Sequence, residues 1–282
     1  MGQRGVIFAK AGADTPHRFG PLGSGGGRME SHNTAVPSLD KAIRICDYLA
    51  AVGRASFSQI QLTLQLPKST AHSLLTALAE HGFLHQDHDA RYSLGLHLYE
   101  LGNKAIAGFD IKREAMPFLY DLRSKARLTC HLGILDDREA IYLAKVESLQ
   151  SVIVKSWEGR RLPLHSTSLG KALIAWKSDV EIDQLFPQEE LPAYTANTLT
   201  TRTALKHHLQ DVRARGWAID DGEDHQGVRC VAAPVRTARD EVLAAISVSG
   251  TDFQIPDSRV EELSILVKAC CIAMSEMFVS RR

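Results

Sequence analysis

The sequence predicts a mixed α/β (α+β) protein of two domains, helices with a β-hairpin first and a helix-flanked antiparallel sheet second. Three observations carry this. The chain has 282 residues, at the length where a single hydrophobic core stops growing. Between 38 and 82, helical apolar faces flank a short segment, and two β-prone runs around a turn follow. From Thr129 onward, short apolar strands alternate with amphipathic helices.

Composition narrows the function classes. Lys+Arg and Asp+Glu are both 33, so bulk charge does not point to nucleic acid, and DNA binding has to rest on local arrangement. Five cysteines with no C-x-x-C suit a reducing cytoplasm better than a disulfide framework. There is no apolar run of about 18 residues, and Val6-Ile7-Phe8-Ala9 is too short for a signal peptide. The expectation is a cytoplasmic protein with no membrane partner.

Residues 1–36 read as a flexible Gly/Pro-rich extension. Its glycine run lacks the preceding strand and the G-K-[ST] of a phosphate loop. Met29 is a candidate natural start. Ser38 is the expected cap of a first helix, with Asp40 in its first turn and Leu39, Ile43, Cys46 and Leu49 on its apolar face. Ser58 is the expected cap of a second helix. However, Ile60, Leu62, Leu64 and Leu66 alternate with period two, which by itself reads as a strand. Pro67 opens a third helix, with Ala71, Leu74, Leu75 and Leu78 on one face and Lys68, Ser69, His72, Ser73 and Thr76 on the other. Gly82 ends it. Phe83-Leu84-His85 and Arg91-Tyr92-Ser93-Leu94 then form a hairpin around a polar turn.

Helices followed by a hairpin are the order of a winged helix-turn-helix, assigned to 37–95. Linker helices follow at 96–127, the second running from Asp110 with Ala115, Leu119, Leu122 and Ala126 facing inward. In the domain at 128–282, strands are expected at 129–135, 140–146, 151–155, 217–220, 228–235 and 241–249. Helices are expected at 168–177, 179–186, 201–215 and from Asp257 to Phe278.

A recognition helix presents small polar and basic groups at its start to base edges and phosphates in the major groove. Lys68, Ser69 and Thr70 are candidates for phosphate, His72 and Ser73 for bases, and Arg91 on the wing for the neighbouring backbone or minor groove. Local charge favours a plain solvated helix instead. Five positive residues between 38 and 103 (Lys41, Arg44, Arg54, Lys68, Arg91) face six negative ones (Asp40, Asp47, Glu80, Asp87, Asp89, Glu100), a net of minus one.

Several blocks, in order, resemble the IclR family of transcriptional regulators. They are Ser38-Leu39-Asp40-Lys41-Ala42, Leu66-Pro67-Lys68-Ser69-Thr70, Gly82-Phe83-Leu84 and Tyr92-Ser93-Leu94-Gly95. In the second domain they are 162–172, 215–223, 227–235 and 245–250. The resemblance covers about 38–280 and implies a regulator that binds a double-stranded DNA operator as a homodimer or tetramer. It also implies a GAF-like effector domain for a small organic, aromatic or sugar acid. Carried over position by position, it implies a polar set of Asp220, Cys230, Ser247 and Ser249. Ser168 and Leu169 lie beside the ligand, Gly170 allows close backbone approach, and Val154, Leu162 and Val228 form an apolar wall. The family usually has Arg where Ser73 stands and small or polar residues where Gln61, Leu62 and Gln65 stand. Some relatives carry Gly-Ala where this chain has Ser168-Leu169.

No catalytic residue, metal or cofactor is expected. Two alternatives remain on the residues alone. Ser168-Leu169-Gly170-Lys171 fits the S-x-x-K of serine acyl-transfer enzymes, without the companion motifs. Zinc could be held by Asp220, His225 and Cys230, or by His81, His85 and His88 with Asp87 and Asp89 at the wing.

Overall fold

A computed structural model describes residues 36–107, 110–149, 156–237 and 239–280. Residues 1–35 with Met29, the strand expected at 151–155 and the wall residue Val154 lie outside the described residues. The chain divides into two compact units, up to Lys104 and from Ala105 onward.

The first unit runs α1 (Pro37–Val52), β1 (Ala55–Ser56), α2 (Phe57–Thr63), α3 (Lys68–Glu80), β2 (Leu84–Gln86), β3 (Arg91–Leu94) and the start of α4 (Leu96–Ala107). Helix α1 starts on Pro37 with no side-chain cap, so the expected Ser38 cap is corrected. Proline at the first position has its φ preset and no orphan N–H to satisfy. Ile45 and Leu49 face the core, whereas Leu39 and Ile43 stay exposed.

The cap of α2 is Ser56, not Ser58. Its hydroxyl accepts from the Gln59 N–H, and the Gln59 side chain accepts from the Ser56 N–H. The period-two leucines have a physical cause. The helix ends at Thr63, Gln65 takes a left-handed φ of 52°, and Leu66 N–H bonds back to Gln61 O at 3.0 Å. The turn swings Leu64 and Leu66 into the core beside Ile60, while Leu62 is left 70% exposed. The stretch is a short helix plus a turn, not a strand.

At the end of α3, Gly82 adopts φ 72°, with Phe83 N–H on Leu78 O (2.8 Å) and Gly82 N–H on Ala79 O (3.0 Å). This is a Schellman ending. β2 pairs antiparallel with β3, and β1 adds to the other edge of β3, in the order β1-β3-β2. Ile45, Leu49, Ile60, Leu64, Leu66, Leu75 and Leu84 form the core of this unit.

The second unit contains α5 (Asp110–Ala126), β4 (Thr129–Asp136), β5 (Glu139–Val146), β6 (Arg161–Leu162), α6 (Ser168–Ile174), α7 (Asp179–Leu185), α8 (Arg202–Arg215), β7 (Ala218–Asp221), β8 (Val228–Arg236), β9 (Val242–Thr251) and α9 (Asp257–Ser280). The strands form one antiparallel sheet in the order β6-β5-β4-β9-β8-β7. On one face, Ala115, Leu119, Leu122 and Ala126 of α5 pack with Leu263, Val267 and Met274 of α9 over Ile246 and Val248. Helix α5, expected within the linker, is thus built into this unit's core, because its apolar stripe needs a surface to cover it. On the other face, α6, α7 and α8 cover Ala140, Ala218, Ala232 and Ala245.

Candidate functional site

The polar residues of the second unit meet through strand register. Asp220 on β7 pairs with Cys230 on β8, and Cys230 pairs with Ser249 on β9, so the three stand in one row across the sheet. Ser247 lies two residues earlier on β9, between Ala232 and His131. Side chains alternate along a strand, so Ser247 and Ser249 share a face while Ile246 and Val248 enter the opposite core.

Above this row sits a small cleft. Ser168 and Leu169 of α6, Leu162 of β6, Val228 and Cys230 of β8, Asp220 and both β9 serines line it. Gly170 does not. A Cβ there would stand 2.5 Å from Leu164 Cα and 2.7 Å from Pro163 O. Its close approach is to the chain entering α6, which corrects its expected place beside a ligand. Tyr142, Ser156, Arg160, Thr167, Asp224 and His225 complete the lining. Thr167 carried a local signal as the Thr before a helix, where its hydroxyl accepts from Gly170 N–H at 3.1 Å, and His225 carried one only as a candidate zinc ligand.

The site is polar and densely bonded. His131 stacks on Tyr142 at 4.2 Å between centroids. Its Nε2 lies 2.8 Å from the Ser156 hydroxyl, and its Nδ1 lies 3.4 Å from that of Ser249. Burial, with Lys145 and Arg160 nearby, lowers its pKa to about 3, so the ring is neutral. Its donor nitrogen and acceptor nitrogen thereby fix the opposite roles of the two hydroxyls. Asp220 Oδ1 accepts the N–H groups of Glu223 (2.7 Å) and Asp224 (3.4 Å). Burial raises this carboxyl to about 8, against the pull of Lys171, so it is mostly protonated at neutral pH and can donate. Arg160 sits 3.2 Å from His225 Nε2 and 4.0 Å from Asp224. Burial also holds the Cys230 thiol protonated.

Asp220 makes stability depend on pH. Its pKa when folded is about 8 and its ordinary value is 3.8, so the folded state keeps a proton that the unfolded chain releases. The contribution is full below the ordinary value and is lost as pH rises through the folded one. Asp220→Asn keeps the neutral form at every pH. It is expected to gain about 1–2 kcal/mol on the parent between about pH 6 and pH 8 in urea unfolding. A stability difference equal at both pH values would show that the carboxyl is ionised when folded.

The two alternatives fail on geometry. Lys171 is wholly buried and donates to Glu223 Oε1 at 2.5 Å, while Ser168 Oγ is buried with no hydrogen-bond partner, so no Ser–Lys pair forms. Among the described residues, no three His, Cys, Asp or Glu side chains converge to hold a metal. Also among the described residues, no helix is long and apolar enough to cross a membrane.

In the first unit, Lys68, Ser69, His72 and Ser73 lie on the exposed face of α3 and Thr70 is half-buried. Arg91 is exposed at the start of β3, opposite Ser56. Asp87 Oδ1 accepts the N–H groups of Asp89 and Arg91 at 3.0 and 2.9 Å, which sets the wing turn.

Comparison with known proteins covers both units. Residues 103–276 match the family model of the bacterial transcriptional regulator IclR C-terminal domain, and residues 38–88 match that of the IclR helix-turn-helix domain. The HTH-type transcriptional regulator RhmR of Escherichia coli K12 is 38% identical, over 87% of this chain and 94% of its own. The crystal structure of the Thermotoga maritima IclR is 31% identical with a TM-score of 0.74, over 86% of this chain and 98% of that one. An IclR homologue from Microbacterium hydrocarbonoxydans, solved with 4-hydroxybenzoate, shares the fold at 21% identity and a TM-score of 0.75, over 86% of this chain and 98% of its own.

Proposed function

Because the chain belongs to the IclR family of bacterial transcriptional regulators, we propose that the cleft over Asp220, Cys230 and Ser249 is its effector site and that Lys68, Ser69, Thr70, His72, Ser73 and Arg91 read its operator. The protein is a DNA-binding regulator and not an enzyme. The observation that carries the effector reading is the meeting, in one cleft, of eight residues that the family resemblance implies: Leu162, Ser168, Leu169, Asp220, Val228, Cys230, Ser247 and Ser249. Hydroxyls, a protonated carboxyl and a guanidinium around a small apolar wall suit a small organic acid.

The exposed face of α3 supports the operator reading. Ser69, Ser73 and Lys68 can bond phosphate oxygens or base edges there, and a wing residue such as Arg91 reaches backbone beside the groove. The working unit is a homodimer or tetramer in the cytoplasm, in which ligand occupancy biases the spacing of paired DNA-binding domains through the helices at 96–127. The DNA-binding domain proposed for this is 37–95, with α4 as the linker and α5 counted in the effector domain.

Fluorescence anisotropy with duplex from upstream of the protein's own gene, at two salt concentrations and against scrambled duplex, tests it. Sequence-preferring binding with a steep salt slope is expected, released by a small acid. Equal, weak binding to both duplexes, unchanged by any acid, would overturn the reading.

A further inference from the structure

Leu169 lines the cleft and also makes a close contact with the sheet beneath it. The tip of Leu169 rests on Gly133 of β4, where a Cβ would stand 2.5 Å from Leu169 Cδ2 and 3.0 Å from Cδ1. Gly133 lies where the register of β4 against β5 shifts, and it pairs with Ala245 on β9. It also pairs with Tyr142 on β5, whose ring lines the cleft, so the glycine itself adds no side chain to the floor, and Leu169, 1% exposed, fills the space that this leaves. Leu169 belongs at once to the apolar cluster under α6 and to the lining of the cleft.

The rest of the lining is unlike the floor. A ligand meets the hydroxyls of Ser168, Ser247 and Ser249, the carboxyl of Asp220 and the guanidinium of Arg160. Ser168 Oγ is buried with no protein partner, so an occupant that cannot hydrogen-bond to it leaves it unsatisfied. One face of the Tyr142 ring is already stacked on His131, which limits what the site offers an aromatic ligand.

We infer that Leu169, seated on Gly133, sets the depth of the cleft, so that it takes a short aliphatic carboxylate bearing hydroxyl groups and shuts out a benzene-ring acid. This rests on the cleft being the effector site. Leu169 is here a specificity-determining residue acting by shape: it fills the depth that a ring would need. The hydroxyl-rich walls act by chemistry, because a ring would desolvate them without replacing their bonds.

The test is calorimetric titration of the full chain with 4-hydroxybenzoate and with a panel of short hydroxy acids (glycolate, lactate, glycerate). The parent, Leu169→Ala, Gly133→Ala and the double variant are compared. The parent is expected to bind at least one hydroxy acid, with 4-hydroxybenzoate at least about tenfold weaker. Leu169→Ala gains 4-hydroxybenzoate by at least about tenfold. Gly133→Ala alone drives the Leu169 tip into the cleft and weakens the hydroxy acid. In the double variant the new methyl occupies the vacated space and cancels the gain, a non-additive pair as expected for touching groups. If Leu169→Ala does not fold, Leu169→Val is read in its place and gains less.

A folded variant that gains no 4-hydroxybenzoate overturns the inference, as does a parent that already binds it as tightly as the variant. Ser249→Ala and Asp220→Asn separate the two levels. If neither changes the affinity of any acid that binds, the effector site is elsewhere, and both the site reading and the inference fall.

Discussion

Replacing Lys171 with methionine is expected to cost about 3–5 kcal/mol of stability in the C-terminal unit. The Lys171 side chain has no solvent exposure, and its ammonium donates to Glu223 Oε1, whose own side chain is almost as deeply buried. Removing the cation strands that carboxylate beside Asp220 and Asp224, with Glu223 Oε2 already lacking a partner. Burial alone pushes the Glu223 carboxyl up and the Lys171 ammonium down, and each restrains the shift of the other. The pair therefore holds together a region that would otherwise refuse charge. Lys171→Met with Glu223→Gln removes both charges and is expected to recover most of the loss, since a buried ion pair is often no better than a neutral replacement. Urea unfolding of the four proteins in the cycle gives the result. A single variant within about 1 kcal/mol of the parent would show that Glu223 is already protonated when folded.

Leu75→Ala is expected to cost about 3–4 kcal/mol in the first unit and to abolish operator binding while leaving effector binding intact. Leu75 is fully buried on the inner face of α3, opposite the exposed face that carries Ser69 and Ser73. Its neighbours Ile45, Ile60 and Leu84 come from α1, α2 and the wing, so one truncation loosens every element that holds α3 in place. A small core has little stability in reserve. Anisotropy on the operator and calorimetry on the effector, at one temperature, read the two units separately. Unchanged operator affinity would mean that α3 does not depend on this core to present its polar face.

Much of this protein was legible residue by residue. The polar face of α3, its glycine ending and the hairpin after it follow from local signals that extend over a few residues. The strand alternation that puts Ser247 and Ser249 on one face is likewise local. Where local reasoning failed, a nearby detail outweighed the pattern. The period-two leucines of 60–66 mislead because a helix of seven residues ends in a left-handed turn at Gln65, which periodicity does not register. The two-residue β1 is too short to carry a period at all. Gly170 signalled a close approach correctly, but nothing local says what approaches, and it proved to be the Pro163–Leu164 backbone.

By itself, then, the sequence determined most of the described helices and strands, which faces are polar and, through separated blocks of residues, which family the chain belongs to. Only the tertiary structure decided what those faces meet. The row of Asp220, Cys230 and Ser249 exists because β8 lies between β7 and β9. Lys171 meets Glu223 across 52 residues of chain, and Leu169 finds Gly133 where β4 slips its register. Helix capping and side-chain alternation act over one turn or two residues, so a sequence states them directly. Strand order and helix docking are set by the joint packing of distant apolar surfaces, so the neighbours they create can be read only from the folded chain.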